Sequence, residues 1–316
     1  MKKTEIYQIA VDKNVLMQCN VIRTKNDKII VIDSGHDVSG DYLPHAIRAI
    51  LGLNQNEYFE IECLFLSHGH NDHYGVLKNM LLSYDKNSNY KINNFYFDFP
   101  EFEKMPFHPS DFNLEDLELL KKAFDNYARV NGIESPIRYF DYLNGRVINN
   151  KAIEKGLTIT VDQLDLDILQ TRDDSDGLVN GNSVVIRLKE YLNEQKTEYK
   201  SVLFLNDTSL QSGQRLLNAY GDKLKSDVVQ MAHHGQAGAS EEVYKTIDAK
   251  IRLWPVPYWV WTRPDVYKIG EVRDWFNLTE KGSENDLITC LYGDYAGDIN
   301  STEDWKKCVH KMKIDL

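Results

Sequence analysis

The 316-residue chain carries 37 Lys and Arg against 48 Asp and Glu, a formal net charge of −11, with 42% hydrophobic residues. That balance fits a globular protein with a substantial core and argues against a uniformly basic surface for nucleic acid or anionic membrane. Four cysteines, Cys19, Cys63, Cys290 and Cys308, lie far apart with no CxxC pair, which argues against a zinc ribbon or a disulfide framework.

In chain order, residues 5–33 read as strands: "IYQIAV", "VLMQCNVIR" and "KIIVID" are β-rich runs separated by "DKN" and "TKND". "CLFLS" (63–67) is a short apolar run expected of a buried central strand. From Asp72 onward Val76, Leu77, Met80, Leu81 and Tyr84 recur at helical spacing. Residues 93–136 change in character: an aromatic, proline-broken segment precedes "NLEDLELLKKAFDNYARV", an amphipathic helix with an Asn cap and early acids. This stretch is expected to be an insertion packed near the site opening. Its aromatics (Phe95, Tyr96, Phe97, Phe99, Phe102, Phe107 and Phe112) are read first as core for the helix and second as a stacking surface.

Strand-like runs resume with "LTITV", "LDLDILQT", "NSVVIRL" and "SVLFLND". A helix follows, and then "DVVQMAHHG" runs from strand into loop. The last third ends in a helix from about Ser301 whose lysines read as a solvated face. Strands alternate with helices, so an α/β layered fold is expected, as one domain over residues 1–316. No run reaches transmembrane length, and the first residues lack an apolar stretch of signal-peptide length. A cytoplasmic protein with buried free thiols is the expectation.

Four of the buried-looking strands deliver an Asp or a His at their carboxyl ends: Asp33, His68, Asp207 and the pair His233–His234. Ligands of open α/β sheets tend to sit beyond those ends. Within "SHGHNDHYG", His68 and His70 are two apart on extended chain and point the same way, so they can grip one cation. Asp72 and His73 begin the next helix and can hold a second. Asp207 offers two oxygens and can bridge both. Imidazole with carboxylate suits zinc, with manganese or iron as alternatives. Two such divalent ions would share a water and lower its pKa, giving a hydroxide nucleophile. Asp33 fits a supporting role as readily as direct ligation, or a plain turn before Ser34-Gly35. His36 and His45 are read as surface or packing residues, and His310, in the terminal helix, as irrelevant to the site.

The motif His68-Gly69-His70-Asn71-Asp72-His73 resembles the HxHxDH signature of the metallo-β-lactamase fold. Asp33 in "VIDSG" is similar to that family's first motif, and Asp207 in "FLNDTS" to its bridging aspartate. "MAHHGQAGAS" and "NGNSVVIRL" resemble the hydrolase domain of ComEC-type DNA-uptake proteins. The resemblance implies a four-layered αββα sandwich with a dinuclear site at one edge, and hydrolysis, most often of phosphodiesters in that branch. Three departures stand out. The third-motif histidine has no counterpart but His108, which comes too early, while Asn180 and Asn182 lie nearer the expected place. Asn206 replaces the usual Gly before Asp207. The N-terminal segment has "VDKNVLMQCN" in place of Gly-Gln-Gly-Asp.

Neighbouring residues leaving a strand point to opposite sides, so one of His233 and His234 is expected as a ligand with Asp72 and His73 and the other on the substrate side or in a supporting role; of the two assignments, His234 as ligand and His233 as the substrate-side residue is the one taken. His233 and Asp72 are the candidates for catalysis. His68, His70, Asp72, His73, Asp207 and His234 are the candidate ligands of two divalent ions. The expected activity is metal-dependent hydrolysis of a phosphodiester by a metal-bridging hydroxide. The net charge favours a small-molecule or short substrate over long nucleic acid, and no membrane partner is expected. Hydrolysis of a carboxyl ester, lactone or thioester at the same site is the alternative. A degenerate, non-catalytic binding module is the second alternative, supported by the missing third histidine.

Overall fold

The computed structural model describes residues 2–12, 14–99, 113–133, 155–173, 179–292, 299 and 301–316. These residues build two seven-stranded sheets packed face to face, with helices on both outer faces.

The first sheet begins with β1 (Glu5–Gln8), β2 (Asn20–Arg23) and β3 (Ile29–Ile32), which run antiparallel in sequence order. The next strand, β4 (Phe59–Leu66), lies parallel to β3, and both β5 (Tyr90–Ile92) and β6 (Phe95–Phe97) pair parallel with β4. Three helices cover its outer face: α1 (Tyr42–Leu51), α2 (Asn71–Leu82) and α3 (Leu114–Asn131). The second sheet opens with the antiparallel β7 (Thr158–Val161), β8 (Leu164–Gln170), β9 (Val185–Tyr191) and β10 (Tyr199–Phe204). It continues parallel through β11 (Val228–Gln230), β12 (Ile251–Trp254) and β13 (Asp286–Ile288). Its outer face is covered by α4 (Leu210–Tyr220), α5 (Glu241–Ile247), α6 (Tyr258–Trp261) and α7 (Ile269–Trp275). Finally α8 (Thr302–Cys308) joins the first helix layer, and β14 (Lys313–Asp315) pairs with β1.

The sequence explains the layering. The run of β3 is apolar at every position because it is covered on both faces. Ile30 and Ile32 point between the sheets, while Ile29 and Val31 point to the helices. The inter-sheet core sets Ile30, Ile32 and Phe65 with Leu166, Ile186 and Phe204. Each such side chain contributes roughly 1.5–3 kcal/mol by leaving water. The expected αββα arrangement is therefore the one the chain adopts.

Of the stretch expected as an insertion (93–136), residues 95–97 form β6 of the first sheet, and α3 packs in its helix layer. The Asn113 side chain accepts from the amides of Glu115 and Asp116, which caps α3. Phe95 packs edge-on to Phe124 and Tyr127 at 5.1 and 5.5 Å, and Tyr96 stacks on Phe65 at 4.7 Å. With Phe97 and Phe99 also buried, these four aromatics are core. Phe102, Phe107, His108 and Phe112 lie outside the described residues. All four cysteines are buried free thiols. Among the described residues no helix is long and apolar enough to cross a membrane.

Candidate metal centre

The candidate residues converge at one edge of the sandwich, where the carboxyl ends of β3 and β4 meet those of β10 and β11. The chain turns sharply there. Asp33, Asn206, His233 and His234 have φ of 59°, 51°, 50° and 57°, in the left-handed region. Asn, Asp and His enter that region more readily than other side-chain-bearing residues. Asn206 thus occupies a conformation for which glycine is the usual choice. Gly235 follows at φ 77°, and a Cβ there would sit 2.4 Å from the Trp254 ring, so glycine is required on both counts.

Two groups of ligand atoms form. Those of His68, His70 and Asp207 lie within 4.8 Å of one another, and so do those of Asp72, His73 and His234. Asp207 faces both groups. One of its oxygens is 3.3 Å from His73 Nε2, and the other is 3.4 Å from His234 Nε2 and 3.8 Å from His68 Nε2. His234 Nε2 also stands 3.0 Å from Asp72 Oδ2. His68, His73, His234 and Asp207 are buried.

A shell of fixed partners aims these imidazoles. Asp33 Oδ2 is 2.7 Å from His73 Nδ1 and also accepts from Ser67 Oγ at 2.8 Å and Gln18 Nε2 at 3.2 Å. Its Oδ1 accepts the Ser67 amide at 2.8 Å. A carboxylate on Nδ1 leaves His73 Nε2 as the nitrogen available to a metal. His234 Nδ1 lies 2.9 Å from the Pro255 carbonyl oxygen, so it donates there and Nε2 again faces the site. His68 Nδ1 contacts Ser67 Oγ at 2.9 Å.

The chemistry of this donor set fits divalent cations. His73 Nε2, His234 Nε2 and Asp207 Oδ1 are buried and lack any hydrogen bond of adequate alignment. Buried polar atoms are rarely left so, and here three of them face one another. The electrostatics agree. Burial alone would lower the pKa of His73, but the charges of Asp207, Asp33 and Asp72 outweigh it and hold the imidazole well above its ordinary value. The same contest, with Asp207 and Asp72 as the carboxylates, raises His234 to about 10. Asp207 is pulled well below the carboxylate range by His234 and His73 despite its burial, and Asp72 is likewise lowered against its burial by His73 and His234.

His233 is placed differently. Its side chain is 32% exposed, its Nε2 stands 4.0 Å from Asp207 Oδ2, and the Asn180 amide lies 3.1 Å away. Burial, followed by His234, lowers its pKa against the pull of Asp207. Asn180 thus contacts His233, while Asn182 accepts the Asp173 amide. Among the described residues no third histidine joins His68 and His70. His36 caps a short 3-10 turn, His45 meets Thr302 of α8 at 3.1 Å, and His310 is exposed. Ser67, Gln18 and Gln230 were not singled out from the sequence. Their one signal is a polar residue set inside an apolar strand run.

Residues 17–136 match the family profile described as the metallo-beta-lactamase superfamily. No match was found among curated proteins. Similar solved structures include the metallo-beta-lactamase fold protein YhfI from Bacillus subtilis, at 12% identity and TM-score 0.43, covering 87% of this chain and 94% of that one. A B3 metallo-beta-lactamase with an active-site glutamic acid is 12% identical at TM-score 0.40, covering 77% of this chain and 86% of the other. CmlA, a diiron beta-hydroxylase from Streptomyces venezuelae, is 11% identical at TM-score 0.41, with 87% of this chain and 52% of CmlA covered. Asp33 and the whole of the His68–His73 motif lie inside the residues that match the metallo-beta-lactamase superfamily model.

Proposed function

We propose that this protein is a metal-dependent hydrolase with a dinuclear site, and that its substrate is a small or short phosphodiester. The observation that carries the reading is the position of Asp207, which faces His68 and His70 on one side and Asp72, His73 and His234 on the other. Bound divalent ions would supply a nucleophile from water at neutral pH and positive charge to match an anionic transition state.

The chain's own residues supply the rest. Asp72 and Asp207 fix the ligand set from two different sheets. Asp33 and the Pro255 carbonyl set the tautomers of His73 and His234. His233, partly exposed beside the site, presents its imidazole to a phosphoryl oxygen or leaving group, with Asn180 steadying it. The phosphodiester assignment is supported by the resemblance of "MAHHGQAGAS" to the ComEC-type hydrolase segment. The net charge of −11 supports a small substrate over a long polyanion.

The test compares hydrolysis of bis-(p-nitrophenyl) phosphate, p-nitrophenyl acetate and a lactone by protein loaded with zinc or manganese. Phosphodiester turnover is expected to be metal-dependent. It should be lost in Asp72→Ala and Asp207→Ala variants that keep the parent circular-dichroism spectrum. Metal-dependent carbonyl hydrolysis with no phosphodiester hydrolysis would overturn the substrate class. Full turnover by either folded variant would overturn the site.

A further inference from the structure

Three buried amide side chains lie behind the candidate metal centre. Gln18, Asn206 and Gln230 are fully or almost fully buried. They come from the segment leading into β2, the turn after β10 and the end of β11, and so from the chain of both sheets. Burying three primary amides is costly unless each is hydrogen-bonded, and here they bond mainly to one another.

The direction of these bonds is fixed by the groups at the two ends. At one end the Asn206 backbone N–H, which can only donate, points at Gln230 Oε1 at 2.6 Å. That contact fixes which end of the Gln230 amide is oxygen. Gln230 Nε2 then donates to Gln18 Oε1 at 3.0 Å. Gln18 Nε2 donates in turn to Asp33 Oδ2 at 3.2 Å and to Asn206 Oδ1 at 2.5 Å. At the far end Asp33, an acceptor, receives His73 Nδ1 at 2.7 Å. The relay therefore starts at the Leu205–Asn206 peptide, one residue before Asp207, and ends on the imidazole of His73. Two backbone bonds flank it: the Gln18 backbone N–H donates to the Asp72 carbonyl at 3.0 Å, and the His233 backbone N–H donates to the Asn206 carbonyl at 2.8 Å.

We infer that Gln18 and Gln230 are positioning residues that couple the two halves of the metal centre. They tie the peptide carrying Asp207, on one sheet, to the Asp33–His73 pair on the other. The inference rests on the dinuclear reading above. Neither glutamine touches a ligand atom of the centre. Each acts through Asp33 or through the Asn206 peptide, whose φ of 51° has to be held for Asp207 to face both ligand groups. Because successive hydrogen bonds polarise one another in a low-dielectric interior, breaking the relay at either amide should release the same coupling. The two losses should then not add.

The experiment measures cobalt(II) affinity by chelator competition, and the visible absorption of the cobalt-loaded protein, for the parent and for Gln18→Leu, Gln230→Leu and the double variant. Gln18→Glu and Gln230→Glu serve as near-isosteric variants in case the leucines do not fold. Outer-shell changes at metal sites typically cost 10–100-fold in metal affinity. Each single variant is expected to lose about 10-fold or more with an altered cobalt spectrum. The double variant should lose about as much as the worse single one, whereas independent sites would multiply their losses. Parent-like affinity and spectrum in folded single variants would overturn the inference, and so would multiplicative losses in the double. A lowered melting temperature with unchanged affinity would also overturn it, because it would make the amides merely structural. A parent protein that binds no cobalt would instead refute the dinuclear reading, and the two failures are thereby distinguishable.

Discussion

Replacing Asp33 by Asn isolates the aim of one ligand from the shape of the site. The two side chains are near-isosteric, and Asn tolerates the φ of 59° at this position, so the backbone turn survives. The hydrogen-bond inventory does not. Asp33 accepts from Ser67 N, Ser67 Oγ and Gln18 Nε2, and pairs with His73 Nδ1. Asn can keep the Ser67 amide on its oxygen and turn its NH₂ toward Ser67 Oγ. It then presents a donor to His73 Nδ1, where a donor already stands. The imidazole escapes by moving its proton to Nε2, the nitrogen that faces Asp207 at 3.3 Å, and a protonated Nε2 cannot ligate. Outer-shell losses of 10–100-fold in affinity correspond to about 1.4–2.8 kcal/mol. The effect should fall on the Asp72, His73 and His234 group and spare His68 and His70. Titration with zinc against a competing chelator should therefore show one of two equivalents weakened 10-fold or more, with the circular-dichroism spectrum unchanged. Two equivalents at parent affinity would refute the role of Asp33 and the tautomer argument with it.

Proton competition gives a second expectation. Without metal, His234 is raised to about 10 and His73 is raised above the ordinary histidine value, so the charged form of each is favoured in the folded state. Each contributes stability that is complete below about pH 6.5, the ordinary histidine value, and is lost as pH rises through the raised value. The metal-free melting temperature should fall between about pH 7 and 10, while apparent zinc affinity should rise over the same range because ligation displaces those protons; affinity independent of pH would count against both imidazoles as ligands. Phe124→Ala removes a fully buried ring that packs on Phe95 and Phe97 at 5.1 and 5.5 Å. Denaturant unfolding should show a loss of about 3–5 kcal/mol, and a loss under 1 kcal/mol would mean that α3 is not part of the core.

The sequence was most legible where chemistry is local. The spacing of His68, His70, Asp72 and His73 lies within six residues, and Asn113 with its following acids marks the start of α3. The ends of β3, β4, β10 and β11 could be read because continuous apolar runs stop at an Asp or near a His. The buried amides were hidden for a physical reason. A glutamine in a strand looks the same whether it faces water or a partner 212 residues away, as Gln18 and Gln230 do. The strand β6 was hidden because its aromatic residues run directly into a proline-broken segment, which reads as irregular chain. The contact of Asn180 with His233 depends on how the second sheet folds back, and no spacing rule reports it.

The site also has a mechanical consequence. The two sheets adhere through an apolar interior, which gives no single direction in which they resist sliding or parting. At the rim, groups rooted in one sheet interlock with groups rooted in the other: His68, His70, Asp72 and His73 against Asp207 and His234. A cation held among them, as proposed, would work as a clasp across the seam, because the sheets could not part there without releasing it. Free metal would then set how firmly the sandwich is shut, by RT ln(1 + [L]/Kd) for each ion, and opening at this edge and loss of metal would become a single event.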